Sequence, residues 1–147
     1  MRKVEKFLRK YGRLARAVSD IQEEIYELID KKRGLPASLL RPPILTGQRV
    51  QGGRQKDLVY EVVEKSVDIY DAMIQRKSER LRDLAFDLDE TEAHIKRANL
   101  ANREKKFIDL RYVQGKTYPE IAQELVFSER QIYRIGKTAL QKVKTAI

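Results

Sequence analysis

The chain has no cysteine, no tryptophan and a single histidine, His94. Without cysteine there is no disulfide framework, no thiolate nucleophile and no cysteine zinc site. One imidazole leaves little for a histidine metal centre or for histidine-based catalysis. His94 itself reads as a surface or boundary residue. We therefore expect a protein that is not an enzyme, with no catalytic residue, no metal site and no cofactor. The acids Asp87, Asp89 and Glu90 read as a solvated helix face. No apolar run is long enough to suggest a membrane-spanning helix. The basic start Met1-Arg2-Lys3-Val4-Glu5-Lys6 lacks the apolar region of a signal peptide. A cytoplasmic location and no membrane partner are the expectation.

What the chain does have is charge. Of its 147 residues, 36% are charged and 41% hydrophobic, and the net charge is +9. The distribution is uneven. Residues 34–54 carry three arginines and no acid, residues 55–100 carry eight bases and eleven acids, and residues 101–147 carry ten bases and five acids. A basic end beside an acidic middle suits an anionic partner at the C-terminal segment.

Apolar periodicity predicts an all-α fold. Val4, Phe7, Tyr11, Leu14, Val18, Ile21, Ile25 and Leu28 recur at alternating steps of three and four, so a long helix is expected over about residues 3–32. Gly12 is the one poor helix former in it. Lys31, Lys32 and Arg33 suit its C-terminus, and Gly34 and Pro36 stop it. Residues 34–54, with three prolines and three further glycines after Gly34 (Pro36, Pro42, Pro43, Gly47, Gly52, Gly53), read as an irregular connection. Leu39, Leu40, Ile44 and Leu45 are candidates to pack it down, and its arginines could lie on phosphate. A second helical stretch covers about residues 55–99. One apolar seam is Val59, Val62, Ser66, Ile69 and Met73; another is Leu81, Leu84, Leu88, Thr91, Ile95 and Ala98. Their phases differ by a four-residue insertion, so either the pattern stutters or the helix breaks near Lys77-Ser78. The two long segments can pair antiparallel. Residues 1–100 are thus expected to be a coiled-coil-like oligomerisation region, with 101–147 a separate domain.

In that domain Asn102 is a candidate N-cap for a helix over Arg103–Val113, with Phe107, Ile108, Leu110 and Tyr112 on its inner face. Gly115 suits a position at positive φ. Two capping boxes follow, Thr117 with Glu120 and Ser128 with Gln131. Only a few residues, Val126 and Phe127 among them, separate the helices they announce, which is the pattern of a helix-turn-helix. Ile121, Leu125, Phe127, Ile132 and Ile135 fall where the helices face each other, and Ala122 is small at the crossing. The second helix also carries Glu129, Arg130, Gln131, Tyr133, Arg134 and Lys137, the side-chain types that read base edges and hold phosphates. Together with Thr117, Tyr118 and Ser128 these are the candidate DNA-binding residues.

Residues 103–144 resemble region 4 of the sigma-70 family. The resemblance rests on Leu110-Arg111-Tyr112, on Gly115-Lys116-Thr117-Tyr118-Pro119-Glu120-Ile121-Ala122-Gln123-Glu124-Leu125, and on Phe127-Ser128-Glu129-Arg130-Gln131-Ile132-Tyr133-Arg134-Ile135. Helical N-terminal segments joined to such an end are similar to the ArpU/RinA-type regulators of phages and prophages. The resemblance implies sequence-specific binding to promoter DNA through Glu129, Arg130, Gln131 and Arg134, inside a bacterial host cell. Two positions depart from the pattern. Val126 stands where region 4 commonly has a turn glycine, so a turn of different shape is expected. Gly136 lies within the second helix, where it either lets the backbone approach DNA or is simply tolerated. Double-stranded DNA, a second copy of the chain (a homodimer or higher oligomer) and RNA polymerase are the candidate partners. The competing readings are a phage DNA-packaging component of the small-terminase kind and a polymerase-binding adaptor.

Overall fold

A computed structural model describes the backbone of residues 1–35 and 53–147, and the side chains of 1–35 and 61–147. The suggested packing of Leu39, Leu40, Ile44 and Leu45, and of the loop arginines on phosphate, lies outside the described residues. The described chain is all helical: α1 (Arg2–Arg33), α2 (Gly53–Arg97), α3 (Asn102–Ile108) running into a π-helical turn (Asp109–Val113), α4 (Tyr118–Leu125) and α5 (Glu129–Ala146). Long N-terminal helices thus precede a C-terminal helix-turn-helix, in the order the sequence predicted.

Two compact units divide the chain. One joins Met1–Asp20 to Arg82–Ile147, and the other is Ile21–Leu81. Within the second unit α1 and α2 run antiparallel. Lys32 Nζ donates to Asp71 at 2.6 Å, and Lys77 Nζ donates to Glu24 at 2.5 Å. These pairs are half-exposed and fix register more than they add stability. Ile21 and Leu28 of α1 are buried there, with Val63 of α2.

α2 has neither a stutter nor a break; it is one 45-residue helix. Its inner seam in this unit is Val63, Val67, Tyr70, Ile74 and Lys77, which keeps alternating steps of four and three into Leu81, Leu84, Leu88, Thr91, Ile95 and Ala98. Of the expected seam, Val62, Ile69 and Met73 lie one residue aside and face outward, Val62 being 61% exposed and Ile69 59%. The apparent insertion came from joining an outer stripe to an inner one. Lys77 fits the inner seam because a lysine can bury its stem while its ammonium stays partly exposed and reaches Glu24.

The first unit holds the larger core. Val4 and Leu8 of α1 pack with Leu100, Phe107, Ile108, Leu110, Ile121, Ala122, Ile132, Ile135, Ala139 and Val143. α1 therefore leans on the C-terminal helices with Val4, Leu8 and Gly12, a spacing of four. Phe7 and Tyr11 sit partly buried at the edge of the same core. The Phe7 ring meets His94 of α2 edge-on, with centroids 5.9 Å apart. α2 ends at Arg97, and Asn99, two residues on, has a φ of 52°, the left-handed conformation that commonly closes helices. Thr91 is buried, and its hydroxyl donates to the Asp87 carbonyl at 2.9 Å.

α3 begins one residue earlier than expected. Ala101, not Asn102, occupies the N-cap. Glu104 takes over the capping: its carboxylate accepts from the Ala101 N–H at 3.0 Å. That carboxylate also accepts from Lys142 Nζ of α5 at 3.0 and 3.1 Å, so one buried acid ties the start of α3 to the end of α5.

Candidate nucleic-acid interface

The expected α-helix over Arg103–Val113 widens at its end. Gln114 N–H donates to the Asp109 carbonyl, five residues back, at 3.0 Å. Such a π-helical turn accommodates an extra residue and re-aims the side chains around it. Arg111 ends up with its guanidinium carbon 4.9 Å from the Tyr118 ring centroid and donates to the Lys116 carbonyl at 3.1 Å. Gly115 follows at φ 72°, as its place after the helix predicted.

α4 starts at Tyr118, with Thr117 as N-cap and Pro119 in the first turn, where a missing N–H costs little. Glu120 accepts from the Thr117 N–H at 3.2 Å. The Ser128–Gln131 box is complete in both directions. Gln131 N–H donates to Ser128 Oγ at 3.2 Å, and Ser128 N–H donates to Gln131 Oε1 at 3.0 Å. This ties up the amide oxygen of Gln131 and leaves its NH2 group to turn outward.

The turn between the helices keeps the left-handed shape that a glycine would give. Val126 has φ 60° and ψ 44°, and the Phe127 N–H closes onto the Ala122 carbonyl at 3.0 Å. The expected change of turn shape does not occur. The fold imposes the conformation on a β-branched residue that resists it, and the side chain, 87% exposed, gains no packing in return.

α5 has two unlike faces. Ile132, Ile135, Gly136, Ala139 and Val143 are buried. Ser128, Glu129, Arg130, Gln131, Tyr133, Arg134 and Lys137 are exposed, as is Thr117, while Tyr118 is half-buried. Tyr118 and Tyr133 stack at 4.4 Å with their planes 9° apart, and Phe107 lies 5.7 Å from Tyr118 on the core side. The two candidate tyrosines therefore act as one unit that braces α4 against α5, with hydroxyls left to bond elsewhere. Gly136 is turned away from any ligand. A Cβ there would fall 2.7 Å from Phe107 Cζ, so its role is close packing and not approach to DNA.

Two surfaces escaped the sequence reading. A groove of about 260 Å3 joins Arg103 and Glu104 of α3 to Gln131, Arg134 and Thr138 of α5. A larger one runs between α1 and the π-helical turn and reaches Tyr118. Beside it Tyr112 is held above the ordinary phenol range, first by burial and then by the charges of Tyr118 and Glu5, against the opposing pull of Arg111 and Arg9. Among the described residues no group of three or more acids or histidines is placed to hold a metal ion, and no helix is long and apolar enough to cross a membrane.

The family Sigma-70, region 4 matches residues 98–145, the span that holds α3, the π-helical turn, α4 and α5. This part of the chain is a sigma-70 region 4-like helix-turn-helix. The chain is also similar to the RNA polymerase sigma-G factor of Clostridium acetobutylicum, 40% identical over 45 residues. The alignment takes in 31% of this chain and 18% of that protein, so the chain spans under a fifth of the relative's length. No solved structure matches.

Proposed function

We propose that the protein is a sequence-specific DNA-binding transcriptional regulator that acts as an oligomer on promoter DNA. The observation that carries this is the exposed row Glu129, Arg130, Gln131 and Arg134 at the start of a capped second helix, in a segment that matches region 4. In such units the N-terminal residues of the second helix meet base edges while the first helix crosses the backbone. Arg130 and Arg134 suit guanine, Gln131 adenine and Glu129 cytosine. Thr117, Tyr118, Ser128, Tyr133 and Lys137 surround the row and suit phosphate contacts. Residues 101–147 form the reading part of this proposal and residues 1–100 the associating part.

Self-association is supported by the outward stripe of α2, where Val62, Ile69 and Met73 are all exposed. One such unit makes few base contacts, and pairing two on neighbouring half-sites would supply affinity and site length. A phage or prophage origin is supported by the joining of long helices to a region-4-like end.

Selection of bound sequences from random duplex DNA by the full chain tests the reading. A single enriched motif is expected. Enrichment that Arg130→Ala and Arg134→Ala both leave unchanged would sink it. A second reading, an adaptor that docks on RNA polymerase, is favoured by the likeness to part of a polymerase sigma factor. It expects polymerase binding by the full chain with no salt-dependent binding to duplex DNA.

A further inference from the structure

The cations of α1 are crowded into its first half. Residues 1–16 hold seven of them and one acid, Glu5. Arg2, Lys6, Arg9, Arg13 and Arg16 recur at steps of four and three, so they share one face, and all five are exposed. Among the described residues none of them lies in an ion pair. With Arg111 they line the larger groove, about 780 Å3, where the one acid, Glu5, offsets only one of six cations. A face carrying this much excess positive charge repels itself and is relieved by a polyanion.

The groove does not stand apart from the helix-turn-helix. Tyr118, the first residue of α4, also lines it, and Tyr118 stacks on Tyr133 of α5. The guanidinium of Arg111 sits against the same Tyr118 ring. One positive surface therefore leads from α1 through Arg111 to the N-terminus of α4, where the first helix of such a unit crosses the DNA backbone. From Arg2 to Arg16 the row is about 21 Å long, the rise of about six base pairs. The anchoring is firm at that point, because Val4 and Leu8 are buried in the core of the same unit and Gly12 rests on the Tyr112 carbonyl.

We propose that the first half of α1 is a second DNA contact, in which Arg2, Lys6, Arg9, Arg13, Arg16 and Arg111 hold backbone phosphates of the duplex flanking the bases read by α5. The contact is sequence-independent and extends the site without adding to its base preference. This rests on the DNA-binding reading above.

The test is the salt dependence of binding by the full chain to a 30-base-pair duplex of arbitrary sequence. The slope of log K against log salt counts phosphate contacts at about 0.9 each. The triple variant Arg2→Gln/Arg9→Gln/Arg13→Gln is expected to shallow the slope by about 2.7, so that the parent loses about 40-fold more affinity than the variant between 50 and 200 mM salt. The charge-keeping variant Arg2→Lys/Arg9→Lys/Arg13→Lys should retain the parent slope. Lys31→Gln/Arg33→Gln, which removes exposed cations from the other end of α1, should also retain it. A triple-variant slope within about 0.9 of the parent, with the parent binding normally, overturns the α1 contact and leaves the DNA-binding reading standing. A fall in the Lys31/Arg33 control of about two-thirds that of the triple variant, in proportion to two charges removed against three, shows an effect of net charge alone and likewise overturns it. A parent that binds no duplex overturns both.

Discussion

Gly12 of α1 lies against the backbone carbonyl of Tyr112. A Cβ at residue 12 would fall 2.7 Å from the carbonyl carbon and closer still to the oxygen. Helix propensity alone says that Gly12→Ala should stabilise by about 1 kcal/mol. The contact reverses the sign, because the obstacle is backbone and cannot rotate away. Gly12→Ala is expected to destabilise the protein by about 1–3 kcal/mol, the usual cost of overpacking. Urea denaturation of the two forms checks it, and a raised midpoint for the alanine variant would refute the contact.

Val126 gives the opposite case. Its left-handed conformation costs a β-branched residue about 1–2 kcal/mol. Glycine removes that strain but adds about 0.4–1 kcal/mol of freedom to the unfolded chain. The side chain is 87% exposed, so almost no packing is lost. Val126→Gly should therefore raise stability by up to about 1.6 kcal/mol, while Val126→Ile should not. A lower melting temperature for the glycine variant would show that the turn is not left-handed in solution.

Glu104 and Lys142 form an unequal pair. Glu104 is 3% exposed, while the Lys142 side chain remains 39% exposed. Lys142→Met strands a buried carboxylate with only the Ala101 N–H to satisfy it, whereas Glu104→Gln leaves an ammonium that can turn to water. Removing the lysine should therefore cost about 1–3 kcal/mol, and neutralising the glutamate less. Equal losses, measured by chemical denaturation, would mean that Glu104 is open to solvent.

How much of this was legible in the sequence depends on whether a residue's role is local. The capping box of Ser128 and Gln131, the positive φ of Gly115 and the buried face of α5 follow from nearest neighbours in the chain, and the reading had them. The inner seam of α2 did not follow. Val62, Ile69 and Met73 are as apolar as Val67 and Ile74, and only the docking of α1, through Glu24 to Lys77 and Lys32 to Asp71, selects between the stripes. Sequence gives Gly12 only a helix propensity and leaves Gly136 between tolerance and approach to DNA, because their partners, Tyr112 and Phe107, are far away in sequence. The α1 cations were hidden by averaging: over residues 1–33 the ten bases are set against six acids, and five of those acids lie beyond residue 16.

Gly136 carries a consequence for reading binding data. Gly136→Ala puts a methyl into the Phe107 ring, 2.7 Å from Cζ, so it is expected to cost about 1–3 kcal/mol of stability. Its DNA affinity, measured at a temperature where the variant is fully folded, should match the parent. Weaker binding by a fully folded Gly136→Ala would return this residue to the DNA-facing side.

Gln131 has two roles that a single substitution can separate. Its Oε1 accepts from the Ser128 N–H at 3.0 Å, and its backbone N–H donates to Ser128 Oγ at 3.2 Å. The NH2 group is the part left to meet a base. Gln131→Glu keeps the box, since a carboxylate oxygen accepts the same N–H, and a negative charge suits a helix N-terminus. Gln131→Ala loses the reach back to Ser128 and is expected to cost about 0.5–1 kcal/mol of stability. On DNA the glutamate can accept but not donate. Beyond a uniform loss from its charge, it should shift preference at one base pair by about 1–3 kcal/mol, toward the cytosine that a carboxylate reads. Comparing sequences selected by the parent and by Gln131→Glu checks this. Identical motifs from two equally stable proteins would confine Gln131 to its capping role and leave the reading to Glu129, Arg130 and Arg134.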